Sequence, residues 1–171
     1  MRFYKIQPKE IPGNVISLFD DGWGLLTAGT PENYNTMTIS WGQMGCLWNR
    51  PVCTVYVRPC RYTYTFTEAC DRFTVSLFEP GEQRSELKML GTQSGREMDK
   101  MHHSGLTPMM LDGLMAYEEA KVVLVLRKLY DQQFDPARVP AEVANSNYAT
   151  VADDDLHRQY ICLIESVYSR D

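Results

Sequence analysis

Short apolar, β-branched segments alternate with turn signals through the first half of the chain, and this punctuation limits the fold more than any other feature. Residues 14–19 are apolar and β-branched, and Asp20-Asp21-Gly22 breaks them as a hairpin turn would. Residues 25–30 make the returning strand. Pro31-Glu32-Asn33 then turns the chain into residues 36–41, which alternate polar and apolar at period two. Asn49-Arg50-Pro51 precedes the next predicted strand, residues 52–57, and Pro59 closes it. Residues 62–69 suit a short helix, and residues 73–78 return to strand.

The middle of the chain changes character. Residues 82–89 carry apolar positions at helical spacing, with Gly91 as a natural stop, and residues 95–103 predict a second short helix. Residues 120–126 are the longest apolar run, a strand buried on both faces in a barrel or at a subunit interface. The last predicted strand covers residues 160–167. Strands at this spacing around one helical insert predict an antiparallel barrel with helices attached.

A chain of 171 residues with 44% hydrophobic content suits a single domain over residues 1–171 with a substantial core. Its net charge of −5 argues against nucleic acid or an anionic membrane as a general partner. No stretch reaches the roughly 18 apolar residues needed to span a bilayer, and the N-terminal residues lack an apolar signal core, so a cytoplasmic protein is expected. Five cysteines, an odd number, fit reduced thiols. Cys46, Cys53 and Cys60 fall seven apart, there is no CxxC pair and no HExxH, and no metal site is expected.

The segment from Asn35 to Thr63 combines the residue types of a ligand site. Hydroxyls and an amide lie along Asn35-Thr36-Met37-Thr38-Ile39-Ser40-Trp41-Gly42, and Trp48-Asn49-Arg50-Pro51 adds a second indole. Arg58-Pro59-Cys60-Arg61-Tyr62-Thr63 comes next, placing Arg58 and Arg61 just past a strand where both reach one doubly charged phosphate. Tyr62 and Thr63 begin the short helix, whose free N–H groups and dipole favour an anion. Trp41 beside a polar strand end suits a planar, hydrogen-bonding ligand. Residue types alone also allow the plainer reading, in which the hydroxyls belong to ordinary strands, the indoles to the core and the arginines to solvent.

The Asn35–Trp41 run, the Asn-Arg-Pro entry to the next strand and the Arg-Pro-x-Arg-Tyr-Thr stretch resemble the flavin reductase-like (flavoredoxin) family. A second block, Gly91-Thr92-Gln93-Ser94-Gly95-Arg96-Glu97-Met98-Asp99-Lys100, resembles that family's Ser-Gly-Arg-x-x-Asp-Lys segment. A weaker likeness continues through Gly105-Leu106-Thr107-Pro108 and Asp155-Leu156-His157-Arg158-Gln159-Tyr160-Ile161. The resemblance implies a mainly β fold with helical inserts, a six-stranded antiparallel Greek-key split β-barrel, homodimeric, with FMN at the subunit boundary. It implies that Asn35 and Trp41 contact the flavin and its ribityl chain, and that Thr38 and Ser40 line the same strand. Arg58, Arg61, Tyr62 and Thr63 would hold the phosphate end. Lys100 would approach the cofactor, where a cation stabilises negative charge left on the reduced ring.

The family often offers a His or an aromatic near the isoalloxazine from its later strands. The corresponding Arg127-Lys128-Leu129-Tyr130-Asp131 has no His, which leaves Tyr130. His102 and His103 read as structural or solvent-facing, and His157 has no assigned role. Asp153-Asp154-Asp155 reads as a solvated loop, with an acid spacing that in other contexts holds calcium, and Cys46 as a small buried residue, with a redox thiol as the alternative. Three activities fit the resemblance. NADH or NADPH would reduce FMN, which then passes electrons to an acceptor; no catalytic acid or base is assigned, because the cofactor performs that chemistry. Alternatively, bound FMN would shuttle electrons between protein partners, as in flavoredoxins. The third is a flavin-binding module without turnover.

Overall fold

The computed structural model describes residues 2–171. Ten strands and five helices run in the order β1 (Phe3–Ile6), α1 (Val15–Asp20), β2 (Gly24–Thr30), β3 (Asn33–Ile39), β4 (Gly42–Leu47), β5 (Arg50–Val57), α2 (Tyr62–Ala69), β6 (Arg72–Leu77), α3 (Arg84–Thr92), α4 (Lys100–His103), β7 (Pro108–Leu111), β8 (Leu114–Tyr117), β9 (Val122–Gln133), α5 (Ala141–Asn147) and β10 (Arg158–Arg170). No described helix is long and apolar enough to cross a membrane.

Eight strands form one antiparallel sheet in the order β3-β2-β6-β9-β10-β5-β4, with β1 added to the far end of β10. Six of them, β2, β3, β5, β6, β9 and β10, curl around one apolar core. Met37 and Ile39 from one end of the sheet meet Cys53, Val55 and Val57 from the other inside it. Those two ends share no backbone ladder, so the barrel is split rather than closed. The remaining two strands, β7 and β8, make a separate hairpin.

Alternation along the strands explains why one sheet carries two cores. Leu26, Val122, Leu124 and Leu126 face the barrel interior. Leu25 and Val123 face outward, where Leu87 and Leu90 of α3 and Ala116 and Tyr117 of β8 cover them. Each such side chain contributes about 1.5–3 kcal/mol by leaving water. The 120–126 run is thus buried on both faces within this one chain, without a subunit interface.

Several expected elements shift for local reasons. Residues 14–19 form α1 instead of a strand: Asn14 caps it by accepting from the Ile16 N–H at 2.8 Å, and Leu18 and Phe19 bury one face while Ile16 faces solvent. Asp21 and Gly22 then close that helix on the Ser17 carbonyl instead of turning a hairpin. The α3 helix runs through Gly91, which is needed for close approach: a Cβ there would stand 3.2 Å from the Thr38 Cβ. Of residues 95–103 only α4 is helical, begun by Asp99, whose carboxylate accepts from the His102 N–H. Strand β4 goes unread in the sequence because Gly42 and Gly45 dilute its β propensity. Trp48 and Asn49, both at positive φ, join it to β5 in a two-residue turn, which places Trp48 at an exposed hairpin tip away from Trp41. Cys46, on the same hairpin, is exposed rather than buried.

Candidate active site

The end of β3, the end of β5 and the connection from β9 to β10 converge on a cavity of about 410 Å3. Five of the residues singled out in the sequence line it: Thr38, Ser40, Trp41, Arg58 and Arg61. Period-two alternation puts Thr38 and Ser40 on the same side of the strand end. Trp41, at 45% exposed, stands at the junction of this cavity with two others, of about 510 and 310 Å3. Its indole leans on the His157 ring at a centroid distance of 4.8 Å.

The two arginines sit in different electrostatic settings. Arg58 is ion-paired with Asp155, and its Nε also donates to the Asp155 carbonyl at 3.2 Å. The other Asp155 oxygen accepts from the Cys60 N–H at 2.7 Å. Burial pushes the Asp155 carboxyl up, but hydrogen bonds from Cys60 and Arg58 outweigh it and hold the carboxyl below its ordinary value. The third residue of the acidic run is therefore a built part of the site and not a solvated loop. Arg61 pairs with no carboxylate among the described residues; its guanidinium donates to the Gly91 carbonyl.

Asn35, Tyr62, Thr63 and Lys100 stand behind this surface and do not line the cavity. Buried Asn35 donates to the Thr63 hydroxyl at 2.6 Å, locking the middle of β3 to the first turn of α2. Tyr62 packs edge-on against Phe66, and the Arg96 guanidinium lies 5.0 Å from its ring centroid. Arg96 also donates to the Cys60 carbonyl at 3.0 Å. Gly95 is required where these groups meet, since a Cβ would lie 2.3 Å from the Asn35 Oδ1. Lys100 is 3% exposed, and its ammonium donates to the carbonyls of Leu90 and Gln93, at 3.0 and 3.2 Å. It thus caps the end of α3. Burial, and next the Arg61 charge, lower its pKa to about 8.

Sequence reasoning missed the wall supplied from beyond β9. His157, Asn147 and Ser146 line the cavity, with Tyr56 from β5. The His157 Nδ1 shares a 2.8 Å hydrogen bond with the buried Tyr148 hydroxyl. Burial, and next Arg58, lower the His157 pKa to about 4, against a smaller upward pull from Asp155. The imidazole is therefore neutral near pH 7. Residues 127–131 offer no histidine, and the one that lines the cavity is His157. Tyr130, considered for that place, is exposed and donates to Gln132 at 2.7 Å. His102 and His103 lie on α4, stacked edge-on at 5.5 Å and away from the cavity.

The cavity brings together an exposed indole, strand hydroxyls and two guanidiniums from the segment that leads into α2. Such a set of groups suits a ligand with a planar ring, a polar chain and an anion.

Comparison with known proteins identifies a family and a fold. The sequence profile of the flavin reductase like domain matches residues 16–139. No curated protein sequence matches the chain significantly. Among solved structures, an FMN-binding protein from Thermus thermophilus with bound p-hydroxybenzaldehyde superposes with a TM-score of 0.68 at 21% identity, covering 100% of this chain and 83% of that one. Flavoredoxin from Methanosarcina acetivorans gives 0.67 at 19% identity, covering 94% of this chain and 74% of that one. The styrene monooxygenase flavin reductase from Pseudomonas putida S12 gives 0.63 at 16% identity, covering 91% and 83%. At these identities the likeness is one of fold.

Proposed function

We propose that this chain, which belongs to the flavin reductase like domain family, binds FMN and works as an NAD(P)H-dependent flavin reductase. The observation that carries the reading is the cavity itself, where Trp41, Ser40 and Arg61 offer an aromatic face, a hydroxyl and a cation with no carboxylate partner among the described residues. Its volume of about 410 Å3 lies in the range of ligand pockets, about 300–1,000 Å3. The polar set fits FMN: Arg61, with Arg58 beside it, suits the phosphate; Ser40, and Thr38 as an acceptor while its hydroxyl donates to the Leu87 carbonyl, suit the ribityl chain; Trp41 suits the ring. FMN-binding and flavin reductase neighbours support the same ligand class.

When bound, FMN supplies the two-electron redox chemistry, with a nicotinamide as donor. The protein's task is to hold and shield. Arg61 anchors the anionic end. Asn35, Thr63 and Gly95 keep β3 and α2 in register so that Ser40 and Arg61 face one ligand. Tyr148 fixes the His157 ring against Trp41, and neutral His157 adds a hydrogen-bonding edge without adding charge. Lys100 completes the end of α3, against which Arg61 is braced. We also propose, from membership of this family and not from any surface seen in one chain, that the working form is a homodimer.

Anaerobic stopped-flow of the FMN-loaded protein with NADH and with NADPH tests the reading. Rapid bleaching of the flavin by either nucleotide is the expected result. Stoichiometric FMN binding with no bleaching would instead assign the chain to protein-to-protein electron transfer, and a colourless protein without FMN affinity would overturn the flavin reading altogether.

A further inference from the structure

The two arginines at the proposed phosphate end are adjacent in the cavity and unequal in availability. Arg58 commits one N–H each of Nε and Nη2, its side edge, to the backbone carbonyl and the carboxylate of Asp155, which leaves the end of the guanidinium exposed but its charge neutralised. The pair is electrically neutral as it stands. It is also accessible, with side-chain exposures of 32% for Arg58 and 16% for Asp155, so an incoming anion and water can reach it. Asp155 keeps a second anchor, the Cys60 N–H, which does not depend on Arg58. Arg61 has no such carboxylate among the described residues.

We propose that Asp155 is an affinity-setting residue, which competes with the ligand's phosphate for Arg58 and so keeps the bound flavin nucleotide exchangeable. This rests on the FMN reading above. Binding through Arg61 alone leaves Arg58 on Asp155. Engaging Arg58 through its Nε–Nη2 edge requires that edge to leave the carboxylate, and engaging it end-on meets a charge that Asp155 already neutralises; the Cys60 N–H holds Asp155 in place in either case. The cost of breaking one charge-assisted pair is set against the gain of making another, so Arg58 adds little net affinity while Asp155 is ionised.

The replacement Asp155→Asn tests this, because the amide oxygen still accepts from Cys60 while the negative charge is gone. FMN and riboflavin are titrated against wild type, Asp155→Asn, Arg58→Gln and the double variant, by quenching of flavin fluorescence. Asp155→Asn is expected to tighten FMN by roughly 3- to 10-fold and to move riboflavin by less than about 2-fold. Arg58→Gln should loosen FMN by less than about 3-fold in wild type and should abolish the whole gain in the Asp155→Asn background. Weaker FMN binding in Asp155→Asn would overturn the proposal, because it would mean that Asp155 holds Arg58 ready for the phosphate instead of competing with it. Equal losses from Arg58→Gln in both backgrounds would do the same. If Asp155→Asn does not fold, Asp155→Ala takes its place: tighter FMN with riboflavin unmoved supports competition, and unaltered or weaker FMN binding refutes it. Failure of wild type to bind FMN would remove the FMN reading itself, a result distinct from unaltered affinity in Asp155→Asn, which refutes the competition alone.

Discussion

Replacing Arg61 by Ala should separate FMN from riboflavin. The side chain is partly exposed, lines the cavity, and has no carboxylate partner among the described residues. A hydrogen bond to a charged group contributes about 1.5–3 kcal/mol. Partial exposure holds Arg61 to the lower part of that range, about 1.5–2 kcal/mol, or about 10- to 30-fold in Kd. Riboflavin has no phosphate and should lose less than about 3-fold. The substitution also removes the bond to the Gly91 carbonyl, which ties the start of α2 to α3. That bond has the same charged donor and by the same argument is worth about 1.5–2 kcal/mol of stability, less than the roughly 5–15 kcal/mol of a typical domain, so the variant still folds and Kd is read on native protein. Fluorescence titration with both flavins, alongside a thermal melt, makes the measurement. Losses of equal size for FMN and riboflavin would show that Arg61 does not hold the phosphate.

His157 predicts a pH dependence of stability. The folded imidazole titrates near about 4 and the unfolded one near its ordinary 6.5, so between these values the unfolded chain binds more protons. Stability is therefore fully present above pH 6.5 and declines as pH falls towards 4, by on the order of 1–2 kcal/mol once partial exposure is allowed for. Urea unfolding of wild type and His157→Gln at pH 7 and pH 5 checks it; identical losses in the two proteins would exclude His157 as the source. Gly95→Ala should cost about 1–3 kcal/mol, because its Cβ would stand 2.3 Å from the Asn35 Oδ1 and break the bond to Thr63. An unchanged melting temperature would mean that the backbone yields there freely.

Strand positions in the first half were legible because each is local: Ile39, Val55 and Val75 lie in runs that Gly, Pro or Asp terminates within a few residues. Strands β1 and β4 go unread, and residues 14–19 differ again: a short apolar run there fits either period and only Asn14, acting as a helix cap, decides. The site divides along the same line. Thr38, Ser40, Trp41, Arg58 and Arg61 lie within one contiguous block, and the hairpin of β4 and β5 brings its two ends together. His157 and Asp155 reach that block only because β10 pairs with β5, placing Arg158 opposite Val57. No local spacing encodes a ladder between strands that far apart, so Arg58 read as a cation ready for a ligand when it already had a partner. Lys100 carried a motif match, but its burial against the Leu90 and Gln93 carbonyls depends on how α4 folds back on α3.

The wall made by Ser146, Asn147 and His157 belongs to a connection, residues 134–157, that contributes no strand to the sheet. It begins where β9 ends and finishes where β10 starts, so its length and sequence are decoupled from the ladders that hold the two cores. Exchange at its cavity-lining positions Ser146 and Asn147 is therefore the natural route to a new ligand preference: a library confined to them would resculpt the pocket beside Trp41 and leave the strand ladders untouched.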